Sequence, residues 1–199
     1  MEWNYPITNY VLRRFSRPLA ARLATSRITP NQITVISGVM GLGGAGLIAL
    51  EYIYAAVFIL FISEILDCTD GDLARIRGQA SRYGAYLDHM MDRWVDGALV
   101  VALIFLDPSL WMVGLLAMMG TYLATAPRTK AEAEGVTCLV GIATRDFRLL
   151  IWWVGLLLAQ YFWLLAALAL LGFITSLHRT GHSLSQLKSV EEPHEAEAA

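Results

Sequence analysis

Long apolar stretches alternate with short polar ones along most of the chain. Stretches of this kind are typical of membrane helices, which need about 20 mainly apolar residues to cross a bilayer. Six of them follow one another, at about residues 30–50, 52–78, 81–106, 110–126, 149–159 and 161–177. The pattern therefore predicts an all-α fold, a polytopic membrane protein with six transmembrane helices.

The ends of the chain have a different pattern. Residues 2–24 mix aromatic and aliphatic side chains with arginines, which predicts an amphipathic helix lying in the headgroup region. Thr29 and Pro30 then provide an N-cap and a first helical residue for the first span. The polar, acidic end of the chain predicts disorder. We thus expect a juxtamembrane amphipathic helix at 1–28, a six-helix transmembrane domain at 29–180 and a disordered cytoplasmic tail at 181–199.

The composition supports a membrane protein, and the charges predict its orientation. The 199 residues are 56% hydrophobic and only 16% charged, which excludes an ordinary soluble domain. The turns around Glu51, Asp107 and Gln160 carry no lysine or arginine, and the 15 basic residues fall on the other side or at the end of the spans that carries the aspartates. By the positive-inside rule, both termini face the cytoplasm and the protein lies in the cell membrane. No nucleic-acid partner is expected.

Four aspartates interrupt the second and third spans. Asp67 and Asp70 are three residues apart, and Asp88 and Asp92 are four apart, so each pair lies on one helix face. A short connection joins the charged end of span two to the charged start of span three, so all four can meet. An ionised side chain at the bilayer centre costs at least about 2.5 kcal/mol, and a divalent cation would repay that cost. Two such ions about 3.5–4 Å apart are a recurring device for phosphoryl chemistry.

Alternative interpretations exist for single members of this group. A lone intramembrane aspartate paired with an arginine can be structural or part of a proton path, and a cation-coupled transporter also uses such carboxylates. Transporters of that kind have repeated halves with broken helices, and no repeat is visible here. Arg75 either contacts substrate phosphate or pairs with a carboxylate. The small residues Gly71, Ala74 and Gly84 would open the helix surfaces to a ligand.

The spacing of these residues resembles the signature of the CDP-alcohol phosphotransferase family at every fixed position. The matching pattern is Asp67-x2-Asp70-Gly71-x2-Ala74-Arg75-x8-Gly84-x3-Asp88-x3-Asp92. The resemblance implies an enzyme of phospholipid biosynthesis that transfers a phospho-alcohol group from a CDP-linked lipid to an acceptor hydroxyl and releases CMP. It also implies contact with membrane lipids and a homodimer.

The resemblance further implies a role for each matching residue. Asp67, Asp70 and Asp88 would hold two Mg2+ or Mn2+ ions, and Asp92 would share the second site or act as the general base. The donor nucleotide would be bound by Thr34, Asp70, Gly71, Ala74, Arg75 and Gly84.

A second basic cluster predicts the acceptor. Lys130, Arg145, Arg148 and Arg179 lie on the same side of the membrane as the aspartates and suit a phosphorylated acceptor. Arg128 is interpreted instead as a contact to lipid headgroups. The segment around Lys130 and Arg145 resembles the phosphatidylinositol-phosphate and archaetidylinositol-phosphate synthases of prokaryotes, which implies inositol phosphate as acceptor. Glycerol phosphate, serine or a simple alcohol as acceptor, and CDP-inositol as donor, remain alternatives.

Overall fold

The computed structural model describes residues 7–138, 140–141 and 144–197, and these are helical apart from the connecting segments. The prediction of an all-α fold is confirmed for this part of the chain. A π-helical turn at Thr8–Leu12 leads into the first helix, and a 3-10 turn at Pro108–Leu110 precedes the fifth. The helices are α1 (Arg13–Leu23), α2 (Pro30–Ala49), α3 (Ile53–Ile76), α4 (Arg82–Leu106), α5 (Trp111–Ala133), α6 (Arg145–Leu157) and α7 (Tyr161–Glu197).

Two helices that form the site begin with side-chain caps. At the start of α2, Thr29 Oγ1 accepts a hydrogen bond from the Gln32 amide at 3.3 Å, and Gln32 Oε1 accepts one from the Thr29 amide at 2.9 Å. This reciprocal pair satisfies two amides that the helix itself leaves free. Ser81 caps α4 in a similar way, accepting from the Gly84 amide at 3.1 Å. The caps fix where the two helices enter the site.

Three helical segments are long and apolar enough to cross a membrane. They are Pro30–Ala49, Pro108–Ala133 and Tyr161–Ser189. The helices α3 and α4 have sufficient length but carry the acidic residues, and α6 has only 13 residues. Length and composition thus support a membrane protein with three candidate spans among the described residues, whereas the sequence predicted six.

The core lies between α2, α3, α4, α5, α6 and α7. Its fully buried side chains include Ile48, Leu103, Leu156 and Leu165. The helices α5 and α7 approach most closely at glycines. A Cβ atom on Gly120 would lie 2.8 Å from the Ala169 carbonyl oxygen, and one on Gly172 would overlap the backbone of Gly120. Such contacts between small residues are a common packing device for helices in lipid.

The segment before α2 is attached to the rest of the protein by polar contacts. Ser16 Oγ in α1 donates to Asp72 of α3 at 2.7 Å, and Thr8 Oγ1 donates to Asp146 at the start of α6 at 2.5 Å. Arg77 donates to backbone carbonyls of the loop between α1 and α2, those of Leu23, Ala24, Ser26 and Ile28. These bonds supply partners for carbonyls that no helix satisfies, and they hold α1 against the end of α3.

The segment predicted to form a disordered tail is part of α7, which the structure continues to Glu197. The segment is mainly polar in sequence, but two of its leucines lie beside another helix. Leu184 and Leu187 lie beside Ala126 and Ala131 of α5 around a shared cavity, so one face of the extension faces another helix.

Candidate metal and substrate site

Three of the predicted metal ligands come together where α3 meets α4. Asp67, Asp70 and Asp88 each offer one carboxylate oxygen, and these three oxygens lie within 4.8 Å of one another. Two oxygens that bind one hard cation at about 2.0–2.6 Å are at most about 4–5 Å apart. The group therefore fits a divalent cation such as Mg2+ or Mn2+.

A residue of α2 fixes the orientation of Asp70. Thr34 Oγ1 donates to Asp70 Oδ2 at 2.5 Å, and both side chains are buried. Since one oxygen of Asp70 is used by this hydrogen bond, the carboxylate cannot rotate freely and its other oxygen has a defined direction. Outer partners of this kind are a general feature of metal ligands in proteins.

Asp92 lies one helical turn after Asp88 on α4 but is not a member of the group of three. It borders a small cavity of about 20 Å³ that Asp67 also lines. It also borders a much larger cavity, described below, that Asp88 lines. Asp92 thus stands between the aspartate group and the larger cavity.

The sequence analysis missed a fifth acidic residue, Glu64. Arg145 Nη2 lies 2.6 Å from Glu64 Oε2 and also contacts Asp67 Oδ2. Glu64 precedes Asp67 by three residues on α3, so its position on the same helix face was visible in the spacing. The Arg145 guanidinium links these two carboxylates to α6.

All six residues predicted to bind the donor nucleotide line one cavity of about 210 Å³ between α2, α3 and α4. They are Thr34, Asp70, Gly71, Ala74, Arg75 and Gly84. A Cβ atom on Gly84 would lie 3.1 Å from Asn31 Oδ1, so a larger residue there would narrow the cavity. The metal ligands Asp70 and Asp88 form part of the same wall, so a phosphate in this cavity can reach the aspartate group.

Both alternatives proposed for Arg75 have structural support. Its Nη2 donates to Asp72 Oδ1 at 2.6 Å, yet 60% of its side chain is exposed and it lines the donor cavity. Asp72 in turn accepts from Ser16 Oγ through its other oxygen. Asp72 therefore connects α1 to the arginine of the donor cavity and lies outside the aspartate group.

Asp72→Asn tests this connection. We expect the KM for the donor to rise about threefold to fivefold with little change in kcat, because an ion pair with an exposed arginine contributes at most about 1 kcal/mol. The measurement is the initial rate of CMP release at varied donor concentration. Asp107→Asn is the matched control, since the Asp107 carboxylate accepts hydrogen bonds from Ser109 in the turn before α5. An unchanged donor KM in Asp72→Asn would contradict this role.

A second, larger cavity of about 590 Å³ borders Asp92 and is lined by five arginines together with Asp88, Asp92 and Glu132. Because the arginines outnumber the acidic residues, we call it the basic cavity. The predicted acceptor residues Arg145, Arg148 and Arg179 all line it. Two further arginines line it too. Arg128, which the sequence analysis assigned to lipid headgroups, has its Nε 2.8 Å from Glu132 Oε1, and Arg93 follows Asp92 on α4. No spacing or motif distinguished Arg93 in the sequence.

The structure places Lys130 beside a different cavity from the other three predicted acceptor residues. Lys130 is two residues from Arg128 on α5, so the two side chains point in nearly opposite directions. Lys130 Nζ lies 2.5 Å from Glu134 Oε1 and its side chain is 75% exposed beside a different cavity. The hydrogen bond from Lys130 lowers the pKa of the Glu134 carboxyl.

Comparisons with known proteins agree with these features. The family model described as CDP-alcohol phosphatidyltransferase matches residues 27–177. The chain is 31% identical to an archaetidylinositol phosphate synthase of Pyrococcus horikoshii over 167 residues, covering 83% of this chain and 89% of that protein. It is 34% identical to a phosphatidylinositol phosphate synthase of Cutibacterium acnes, covering 67% of this chain and 68% of that protein.

Solved structures with the same fold include two of phosphatidylinositol phosphate synthase from Mycobacterium tuberculosis. The structure with CDP-DAG bound superimposes with a TM-score of 0.77 at 25% identity, covering 85% of this chain and 94% of that one. The structure in complex with manganese and citrate gives a TM-score of 0.73 at 26% identity, covering 83% and 88%.

Proposed function

This chain belongs to the CDP-alcohol phosphatidyltransferase family, and we propose that it transfers a phosphatidyl or archaetidyl group from a CDP-linked lipid to a hydroxyl of inositol phosphate. The second product is CMP. The observation that carries the proposal is that the aspartates border two cavities: Asp70 and Asp88 line the donor cavity, and Asp88 and Asp92 line the basic cavity. One cavity suits a nucleotide and the other suits a phosphorylated alcohol.

The aspartates fit the metal chemistry of such a transfer. Mg2+ or Mn2+, as two ions held by Asp67, Asp70 and Asp88, would offset the negative charge of the diphosphate and of departing CMP. Carboxylate oxygens are the ligands that hard divalent cations prefer. Thr34 keeps Asp70 in its orientation for this role.

The donor cavity would hold the CDP moiety. Gly71, Ala74 and Gly84 present little side-chain bulk, which leaves room for a cytidine ring against the helices. Arg75 would contact a phosphate of the donor, since a guanidinium forms paired hydrogen bonds to phosphate oxygens. Asp72 and Ser16 hold Arg75 in place.

Asp92 would act as the general base. It borders the basic cavity, so a hydroxyl of an acceptor bound there can approach its carboxylate. Asp92 takes the proton of that hydroxyl while the hydroxyl oxygen bonds to the phosphorus that carries the lipid. The bond between that phosphorus and the bridging oxygen of CMP breaks, and CMP leaves from the donor cavity.

The arginines of the basic cavity favour a phosphorylated acceptor over serine or a simple alcohol. Arg145, Arg148 and Arg179 come from α6 and α7 and converge with Arg93 and Arg128 from α4 and α5. The named relatives favour inositol phosphate over glycerol phosphate within that class. Lys130 has no part in the proposed acceptor site.

We further propose six transmembrane helices with the site on the cytoplasmic side and a homodimer as the working form. The helices α3 and α4, at 24 and 25 residues, exceed the roughly 20 that a span needs, and their acidic residues lie near one end. The basic residues of the chain are on that same side. The short α6 would be the fifth span and α7 the sixth, and residues 29–180 would form the catalytic domain.

The proposed function is tested by CMP release from purified protein in nanodiscs with Mg2+ and a CDP-linked lipid. We expect release with inositol phosphate and little with glycerol phosphate or serine. CMP release with glycerol phosphate or serine, and none with inositol phosphate, would contradict the proposed identity of the acceptor. If no acceptor gives CMP release with a CDP-linked lipid, but CDP-inositol and a lipid alcohol do, the proposed identity of the donor is wrong. Cation flux into proteoliposomes without CMP release would favour the transporter.

A further inference from the structure

Two arginines of the basic cavity share one carboxylate. Arg93 Nη2 on α4 lies 2.9 Å from Asp96 Oδ2, and Arg148 Nη1 on α6 lies 3.0 Å from the same oxygen. The three side chains are 9%, 18% and 20% exposed for Arg93, Arg148 and Asp96. The contact joins α4 to α6 at the wall of the cavity.

The charges of this trio do not balance. Two guanidinium groups face one carboxylate. Among residues 7–138, 140–141 and 144–197, Asp96 is the acidic residue that lies within ion-pair distance of Arg93 and of Arg148. Within this largely buried trio, one positive charge is therefore not matched by a paired carboxylate. An uncompensated buried charge is costly, so the site is suited to an incoming anion.

Unused hydrogen-bond donors point to the same conclusion. Within the described structure, Arg93 Nε and Nη1 and Arg148 Nε are buried and have no hydrogen-bond partner. The same holds for the hydroxyl of Thr144, which also lines the cavity. Buried polar groups normally have partners, and several unused donors on one wall indicate that a ligand with acceptor oxygens supplies them.

The backbone at Arg93 is fixed from α5. Tyr122 Oη donates to the Arg93 carbonyl at 2.9 Å. A Cβ atom on Gly97 would lie 3.0 Å from Tyr122 Oη. Arg93 therefore has a defined position both at its carbonyl and at its guanidinium. A site fixed in this way loses little conformational freedom when it binds a ligand.

We propose that Arg93 and Arg148, held at a fixed spacing by Asp96, bind the phosphate monoester of the acceptor and so select phosphorylated acceptors. This rests on the proposed function and adds two residues to it. Arg93 contacts the phosphate, and Asp96 is a positioning residue that pairs with both arginines. Without Asp96 the two guanidinium groups would repel each other, whereas with it they present their remaining N–H groups to one phosphate.

The test compares Arg93→Gln, Arg93→Lys and Asp96→Asn with the wild type in the CMP-release assay. We expect Arg93→Gln to raise the KM for the phosphorylated acceptor about tenfold or more, as for a lost charge-assisted hydrogen bond. The donor KM stays within about twofold of the wild-type value, because the substitution removes binding of the acceptor alone. Arg93→Lys restores part of the affinity because it keeps the charge. Asp96→Asn raises the acceptor KM by a smaller factor than Arg93→Gln. In the double variant, the acceptor KM rises by less than the product of the two single factors, because both substitutions act through Arg93.

The matched control is Arg82→Gln, an exposed arginine at the start of the same helix, which should leave the acceptor KM unchanged. Binding of inorganic phosphate, measured by calorimetry, separates this inference from the proposed function. Wild-type transfer to inositol phosphate with an unchanged acceptor KM in Arg93→Gln and Arg93→Lys overturns the inference and leaves the function standing. Phosphate binding that is lost in Arg93→Gln supports the anion site even if inositol phosphate is not the acceptor. Equal phosphate binding by wild type and Arg93→Gln overturns the anion site.

Discussion

Asp92→Asn should lower kcat for CMP release by about 10²–10⁴-fold, the usual contribution of a positioned general base. Asparagine has nearly the same shape as aspartate but cannot accept the proton of the acceptor hydroxyl. Asp92 lies outside the group formed by Asp67, Asp70 and Asp88, so the donor cavity and its aspartates should remain intact. We therefore expect the Kd for the CDP-linked lipid to change by less than the kcat.

The measurement pairs single-turnover CMP release with direct binding of the donor in the presence of Mg2+. Asp107→Asn, at the turn before α5, is again the matched control for loss of one carboxylate. Normal turnover in Asp92→Asn would remove this residue as the base. Loss of donor binding equal to the loss of turnover would instead make Asp92 a metal ligand.

Asp70→Asn should abolish the metal-dependent binding of the donor. Asp70 belongs to both the aspartate group and the donor cavity, so its charge affects the cation and the nucleotide together. Loss of a partner in the outer shell of a metal site costs about 10–100-fold in affinity, and loss of a ligand should cost more. We expect the Kd for Mn2+ to rise by more than 100-fold in Asp70→Asn and by about 10–100-fold in Thr34→Val, which removes the hydrogen bond to Asp70.

Mn2+ binding can be followed by electron paramagnetic resonance without any substrate, so this prediction does not depend on turnover. Asp72→Asn is the control, because Asp72 lies next to the motif but binds Ser16 and Arg75. Unchanged Mn2+ affinity in both Asp67→Asn and Asp70→Asn would contradict the metal assignment.

Local spacing was enough to predict the aspartate group. Intervals of three and four residues place each pair on one helix face, and the connection of residues 77–81 is too short to separate the two pairs. The start of α2 was also predictable, since Thr29 and Pro30 are typical of a helix N-terminus and form the capping contacts there. These features depend on contacts that are near in sequence.

Features that depend on the neighbouring helix were not predictable. The grouping of Lys130 with Arg145, Arg148 and Arg179 used only the side of the membrane, whereas the direction of a side chain around α5 decides which cavity it reaches. The pairing of Asp96 with Arg148, 52 residues further along the chain, requires α6 to pack beside α4. Leu184 and Leu187 of α7 lie beside α5 at a shared cavity, in a segment whose composition is mainly polar.

The glycine contact between α5 and α7 has a mechanical consequence. Gly120 and Gly172 meet with no side chain between them, so the two backbones are in direct contact there. Arg179 is seven residues further along α7, or about 10 Å, so a tilt of about 5° around the contact would move it by about 1 Å. That is comparable with the difference between a good hydrogen bond and a broken one. A small tilt of α7 around this contact would therefore change the width of the basic cavity, which Arg179 lines.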